Sequence, residues 1–313
     1  MKLGYIGMLN GFRAANTRFK VPETLTLADS LGFAFAYFPK ADPYQFAAAQ
    51  TMCSSTIKVT LDAAAFGPLC PTEIESAVRQ VNEHWDGKLL LGVEVSGPNA
   101  SAKCKAEAQA FETLFSYGPR ADHELWSTRF PMKPPCPEII GIPGSGQSSE
   151  AKLAAARGYS PMTPEWLADK DVARIWPAIV AGATSALRRA RQSQWQVNRM
   201  VVVNDDAQTL QKYVYGTNSP IRRHFMQTAP QGFIEGDVNT FLDRVVIAGS
   251  APKVAKDIVA LRETVGDFGT LNIIDPVDSD PTITKNTMIG LAETVMPLVE
   301  KSDVNTLKDL EKT

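Results

Sequence analysis

Histidine is scarce in this chain: His84, His123 and His224 are the only three among 313 residues. A mononuclear metal centre built from several histidines is not expected on that count. The four cysteines, Cys53, Cys70, Cys104 and Cys136, are scattered and form no CxxC pair. Neither a zinc ribbon nor a disulfide framework is indicated. Charge of one sign is also missing, with Lys+Arg 32 against Asp+Glu 34 and a formal charge of −2. A nucleic-acid binder would carry a basic surplus or stripe. No run approaches the ~18 uninterrupted apolar residues of a membrane helix. The opening Met1-Lys2-Leu3-Gly4-Tyr5-Ile6-Gly7 is too short an apolar stretch for a secretory signal. The expectation is a cytoplasmic protein without a nucleic-acid or membrane partner.

What is present is an ordinary globular composition, 44% apolar and 21% charged, able to bury a large core. Short β-like runs alternate with amphipathic stretches. The runs fall at 2–8, 33–38, 57–64, 88–95, 138–142, 159–162, 197–203 and 269–274. Helical patterns lie between them at 22–31, 43–54, 71–85, 101–127, up to 157, 171–193, at least twice within 206–265, and at 283–300. Eight strands each followed by a helix is the count of an α/β (β/α)8 TIM barrel. The surplus at 206–265 then forms an insertion between strands seven and eight. A doubly wound open sheet is the alternative, but the first strand–helix turn has no GxGxxG. No internal repeat or linker divides the chain, so 1–300 reads as one domain and 301–313 as a solvated tail.

In such barrels the chemistry sits at the C-terminal strand ends. That rule sends His84, just before strand four, to the opposite face as a capping or packing residue. His123, within a helical stretch, reads as surface or packing. His224 follows strand seven and is a catalytic candidate, balanced by its reading as an exposed helix residue among arginines. Alternation puts Thr60, Asp62 and Ala64 on one face of strand three, and Glu94 ends strand four in the same way. Two carboxylates at one mouth suit acid/base work or hydrogen bonds to a polar heterocycle. Neutralisation by a neighbour such as Lys40 is the other reading. After strand five, Gly144, Ser145, Gly146, Gln147, Ser148 and Ser149 precede a helix. Small residues, hydroxyls and a helix N-terminus together make a phosphate seat. The competing reading is a flexible loop with Ser148 or Ser149 as N-cap.

Three blocks carry a family resemblance. The first is Arg244-Val245-Val246-Ile247-Ala248-Gly249-Ser250-Ala251-Pro252-Lys253-Val254-Ala255, followed by Leu261 and Gly266-Asp267-Phe268-Gly269-Thr270-Leu271. The second runs from Leu69-Cys70-Pro71 to Asp86-Gly87-Lys88-Leu89-Leu90-Leu91-Gly92-Val93. The third is Ser145 to Gly158, ending Leu153-Ala154-Ala155-Ala156-Arg157-Gly158. In their order along the chain they resemble the bacterial luciferase-like, flavin-dependent monooxygenases, with Trp126 matching a tryptophan of the long fourth helix. The ketone-oxidising, Baeyer–Villiger-type members give the nearest echo.

The resemblance implies a (β/α)8 barrel with an insertion, binding reduced FMN at its mouth and using O2 to oxidise a ketone, aldehyde or other small organic substrate. It implies a separate flavin reductase as partner and a homodimer. Ser145, Gly146, Gln147, Ser148 and Ser149 would then seat the phosphate, and Ala63 and Ala64 would flank the ring. Glu94 and Asp62 would contact the ring edge or substrate, with His224 and Arg222 arriving from the insertion as a lid. Two departures stand out. Where the family shows Glu-His after strand two, this chain has Tyr37-Phe38-Pro39-Lys40-Ala41-Asp42, and Glu94-Val95-Ser96-Gly97 offers no arginine after strand four. A degenerate, non-catalytic flavin binder and a deazaflavin-dependent oxidoreductase are the competing readings.

Overall fold

The computed structural model describes residues 1–7, 17–37, 57–62, 89–95, 139–143, 147–230, 234, 236–276 and 278–302. Nine strands lie within them: β1 (Lys2–Gly7), β2 (Phe35–Tyr37), β3 (Lys58–Asp62), β4 (Leu89–Val95), β5 (Ile139–Pro143), β6 (Ser160–Pro161), β7 (Gln196–Val203), β8 (Val246–Gly249) and β9 (Thr270–Asp275). Every pairing is parallel, in the order β6-β5-β4-β3-β2-β1-β9-β7-β8. One further parallel bridge joins Met162, just past β6, to Gln196 at the start of β7. Thr163 N–H donates to the Gln196 carbonyl at 3.0 Å beside it. Strand β6 therefore touches β7 as well as β5. The fold is α/β with a parallel sheet, and the near-continuous apolar run Met200-Val201-Val202-Val203 is what burial on both faces of such a sheet requires.

The described helices are α1 (Thr17–Ser30), α2 (Ser148–Arg157), α3 (Asp169–Ala173), α4 (Ile175–Ser185), α5 (Ala207–Leu210), α6 (Pro220–Thr228), α7 (Val238–Val245), α8 (Ala251–Val265) and α9 (Pro281–Gly290). Two π-helical turns extend them, Gln211–Tyr215 after α5 and Leu291–Val295 after α9. The expected helices at 43–54, 71–85 and 101–127 lie outside the described residues. The single helix read at 171–193 is instead two, α3 and α4, meeting at Arg174 and ending at Ser185. Strand β8 lies where only helices were read. Its four residues are too few to show an alternation, and they run directly out of α7. They pair with the second half of β7, Met200 to Val203, while the first half pairs with β9.

Alternation along the strands sorts the core. Gly4 stands in register with both Phe35 and Asn272, and Asn198 with Asn272. On this face the buried Asn272 Nδ2 donates to Gln196 Oε1 and Asn198 Oδ1, each at 2.9 Å. A Cβ on Gly4 would lie 2.0 Å from Asn272 Oδ1, so only glycine fits. The other face carries Leu3, Tyr5, Val197, Val201, Leu271 and Ile273, all buried. Trp195 is wholly buried, stacked on Trp176 at 5.3 Å and edge-on to Phe268 at 6.3 Å. Helix α2 packs on α4 through small residues: a Cβ on Gly182 would meet the Lys152 carbonyl at 2.0 Å. Among the described residues no helix is long and apolar enough to cross a membrane.

Candidate active site

Because all strands run parallel, their C-terminal ends gather on one side of the sheet, with Gly7, Tyr37, Asp62, Val95, Pro143, Val203 and Asp275 as the last residues of their strands. Asp62 stands in register with Gly92, and Glu94 with Ile142. Position 62 falls two residues beyond Thr60, and position 94 two beyond Gly92. The backbone thus puts both carboxylate positions on one alternation set, near the ends of neighbouring strands. Ala63, Ala64, Ser145 and Gly146 lie outside the described residues.

Helix α2 opens right after β5. Gln147 holds the N-cap position with extended backbone (φ −77°, ψ 145°), and its side chain caps nothing. Gln147, Ser148 and Ser149 are all exposed, while Glu150 is turned inward and buried. Neither serine occupies the N-cap position, which was one of the two readings of this segment. The exposed rim of the helix end is therefore uncharged and rich in donors, with the positive end of the helix dipole behind it.

His224 is turned inward. It lies on α6, started by Ser219, whose Oγ accepts from Arg222 N–H at 2.9 Å, with Pro220 next. Its Nε2 is 2.8 Å from Glu165 Oε1, and the two side chains are only 2% and 6% exposed. The ring meets Phe225 edge-on at 5.5 Å. Arg222 reaches Asn239 on α7 at 3.2 Å. So the helix proposed as a lid is tied down: His224 clamps it to the segment following β6.

Glu165 was missed by sequence reasoning. The signal available was its place in Met162-Thr163-Pro164-Glu165-Trp166, directly after a strand, where a carboxylate is well placed to meet a partner. An ion pair with a buried cation stands nearby. Arg199 on β7 donates to Asp169 Oδ1 at 2.7 Å and to the Asn198 carbonyl at 2.9 Å. Burial pushes its guanidinium below the ordinary range, opposed by the charges of Asp169 and then Glu165. Removing a cation from water costs several kcal/mol, so this pairing is what allows Arg199 to be there.

Asp275 closes β9 and anchors a third cluster. Tyr5 OH donates to its Oδ2 and Thr284 Oγ1 to its Oδ1, both at 2.8 Å. Burial, reinforced by the Asp275 charge, raises the Tyr5 phenol well above its ordinary range. Among the described residues no group of His, Cys, Asp and Glu could hold a metal ion.

Comparison with solved structures gives the fold. The oxygenating constituent of 3,6-diketocamphane monooxygenase from Pseudomonas putida, a Type II Baeyer–Villiger monooxygenase in complex with FMN, superposes with TM-score 0.73. It is 19% identical, over 95% of this chain and 98% of that one. Monooxygenase RslO1 from Streptomyces bottropensis gives TM-score 0.70 at 17% identity, over 95% and 99% of the two chains. The coenzyme F420-dependent tetrahydromethanopterin reductase of Methanopyrus kandleri gives 0.63 at 14%, over 95% and 98%. This chain has the luciferase-like monooxygenase fold. No protein-family profile and no curated protein sequence matches it. At these identities the likeness is one of architecture.

Proposed function

We propose that this chain is an FMN-dependent monooxygenase, which uses reduced FMN and O2 to oxidise a small ketone or aldehyde. The observation that carries the reading is the N-terminus of α2, which follows β5 at the C-terminal side of a parallel sheet and exposes the uncharged Gln147, Ser148 and Ser149 with no side-chain cap, while Glu150 of the same turn is buried. A phosphate fits there by charge and by hydrogen bonding. The luciferase-like fold, shared with an FMN-bound monooxygenase over nearly the whole chain, supports the same assignment. In this reading the sheet is a closed (β/α)8 barrel, with the Met162–Gln196 bridge as its seam and an insertion between β7 and β9.

FMN, when bound, supplies the O2 and electron chemistry. The protein's part is to hold and shield it. Gln147, Ser148 and Ser149, with Ser145 and Gly146, seat the phosphate, and Ala63 and Ala64 leave room beside the ring. Asp62 and Glu94 contact the ring edge or the substrate and hold or accept a proton there. His224 acts through Glu165, fixing α6 over the segment after β6 and so shaping the substrate side. Reduced flavin is to come from a separate reductase, and the chain is to work as a cytoplasmic homodimer.

A second reading, a deazaflavin-dependent oxidoreductase, is favoured by the F420-dependent reductase that superposes over 95% of this chain. Anaerobic titration with FMN, reduced FMN and F420, followed by O2 consumption over a ketone and aldehyde panel, separates the readings. Binding of reduced FMN with O2-dependent product is the expected result. Preference for F420 supports the second reading, and flavin binding without product supports a non-catalytic flavin protein.

A further inference from the structure

Beneath the π-turn Gln211–Tyr215, between β7, β9 and α9, lies a niche of about 20 Å³, partly open to solvent. A water needs roughly 10–15 Å³ on this scale, so one fits. Polar side chains from three elements line it: Tyr213 of the π-turn, Asp275 of β9 and Thr287 of α9. Thr287 Oγ1 accepts from Val203 N–H at 3.2 Å. The Tyr213 oxygen takes hydrogen bonds from the Ser279 hydroxyl and the Asp280 backbone N–H. Among the described residues, neither the Tyr213 nor the Thr287 hydroxyl proton has an acceptor. Asp275 is the complementary group. Its two oxygens accept from Tyr5 and Thr284, one bond each, and a carboxylate has about four acceptor sites. After burial, the Asp275 charge is what pushes the Tyr213 phenol above its ordinary range, yet no direct hydrogen bond joins the two. The niche thus presents two donors and an acceptor around the space of one particle. An apolar occupant would leave both donors unanswered. A water accepts from Tyr213 and Thr287 and donates to Asp275, which meets the two to four partners an ordered water requires.

We propose that this niche is a binding site for one ordered water, which bridges Tyr213, Thr287 and Asp275 and so pins the π-turn of the insertion to β9 and α9. The site and its test are independent of the flavin reading. A crystal structure of the full-length, flavin-free protein, at a resolution that shows ordered solvent, is the first measurement. One water is expected within about 3.2 Å of Tyr213 Oη and of Thr287 Oγ1 or an Asp275 oxygen. An empty niche, or solvent touching only one of the three side chains, overturns the site. An anomalous peak there after a rubidium soak overturns water as the occupant in favour of a cation. In solution, Tyr213→Phe and Thr287→Val each remove one hydroxyl at nearly constant side-chain size. With no direct hydrogen bond between these two side chains, the shared water couples them. The double variant should therefore lower amide protection in Gln211–Tyr215 by less than the product of the two single fold-changes. Single effects that simply multiply overturn the bridge. Thr287→Ser keeps the hydroxyl and should keep the water, which preserves the comparison if the valine variant does not fold.

Discussion

Gly4 and His224 show how single residues are fixed by what surrounds them. Gly4→Ala drives a methyl group into Asn272 Oδ1, an overpacking cost of about 2 kcal/mol. The double variant with Asn272→Ala should recover part of that loss, because the atom in collision is gone; urea unfolding measures both. His224→Ala leaves the buried Glu165 side chain without its hydrogen-bond partner, which costs about 2 kcal/mol. His224→Gln keeps a donor within reach and should lose less. If α6 is positioned by this pair, His224→Ala should also alter substrate KM more than FMN affinity. Composition made His224 conspicuous, as one of three histidines in the chain. Its partner was not legible, since 59 residues separate it from Glu165 and only the fold brings them together.

At the scale of elements, helix ends carry the informative exceptions. Helix α4 stops in a Schellman turn, with Arg188 N–H on the Ala183 carbonyl at 2.8 Å and Leu187 N–H on that of Thr184 at 3.0 Å. The left-handed position, usually glycine, is held by Leu187 at φ 56° and 99% exposed. Leu187→Gly should therefore stabilise the protein by about 1 kcal/mol, read as a raised Tm. Helices α5 and α7 are capped by Asp206 and Asp237. Hydrogen bonds from the Thr209 hydroxyl and from backbone N–H groups hold the Asp206 carboxyl below its ordinary range, and the Thr240 backbone N–H does so for Asp237. A depressed carboxyl stabilises the fold above its unfolded pKa, roughly 3.9, and that contribution fades as pH falls through the folded value. Amide protection factors in α5 and α7, corrected for the intrinsic exchange rate at each pH, should fall on acidification in the native chain. With Asp206→Asn and Asp237→Asn, which cap without titrating, the fall should be smaller. Strand β8 was illegible for a related reason: a four-residue strand continuous with a helix has too few positions to declare its period.

At the scale of the whole molecule, the order of strands and helices was legible because period-two and period-3.6 patterns alternate along the chain. The eight expected strands all recur within two residues of their expected starts, from Lys2–Gly7 to Thr270–Asp275. Their pairing was not written locally, since β7 divides its partners between β8 and β9. Of the proposed site, composition singled out the Gly/Ser segment before α2, and the parallel sheet puts Asp62, Glu94 and the start of α2 on one side. In the proposed function α2 receives the phosphate of FMN. Calorimetric titration of the native chain and of the Ser148→Ala/Ser149→Ala double variant, each with FMN and with riboflavin, probes that contact. The native chain should prefer FMN, and the double variant should lose FMN affinity more than riboflavin affinity. Equal losses for the two ligands, or no preference for FMN in the native chain, would contradict it.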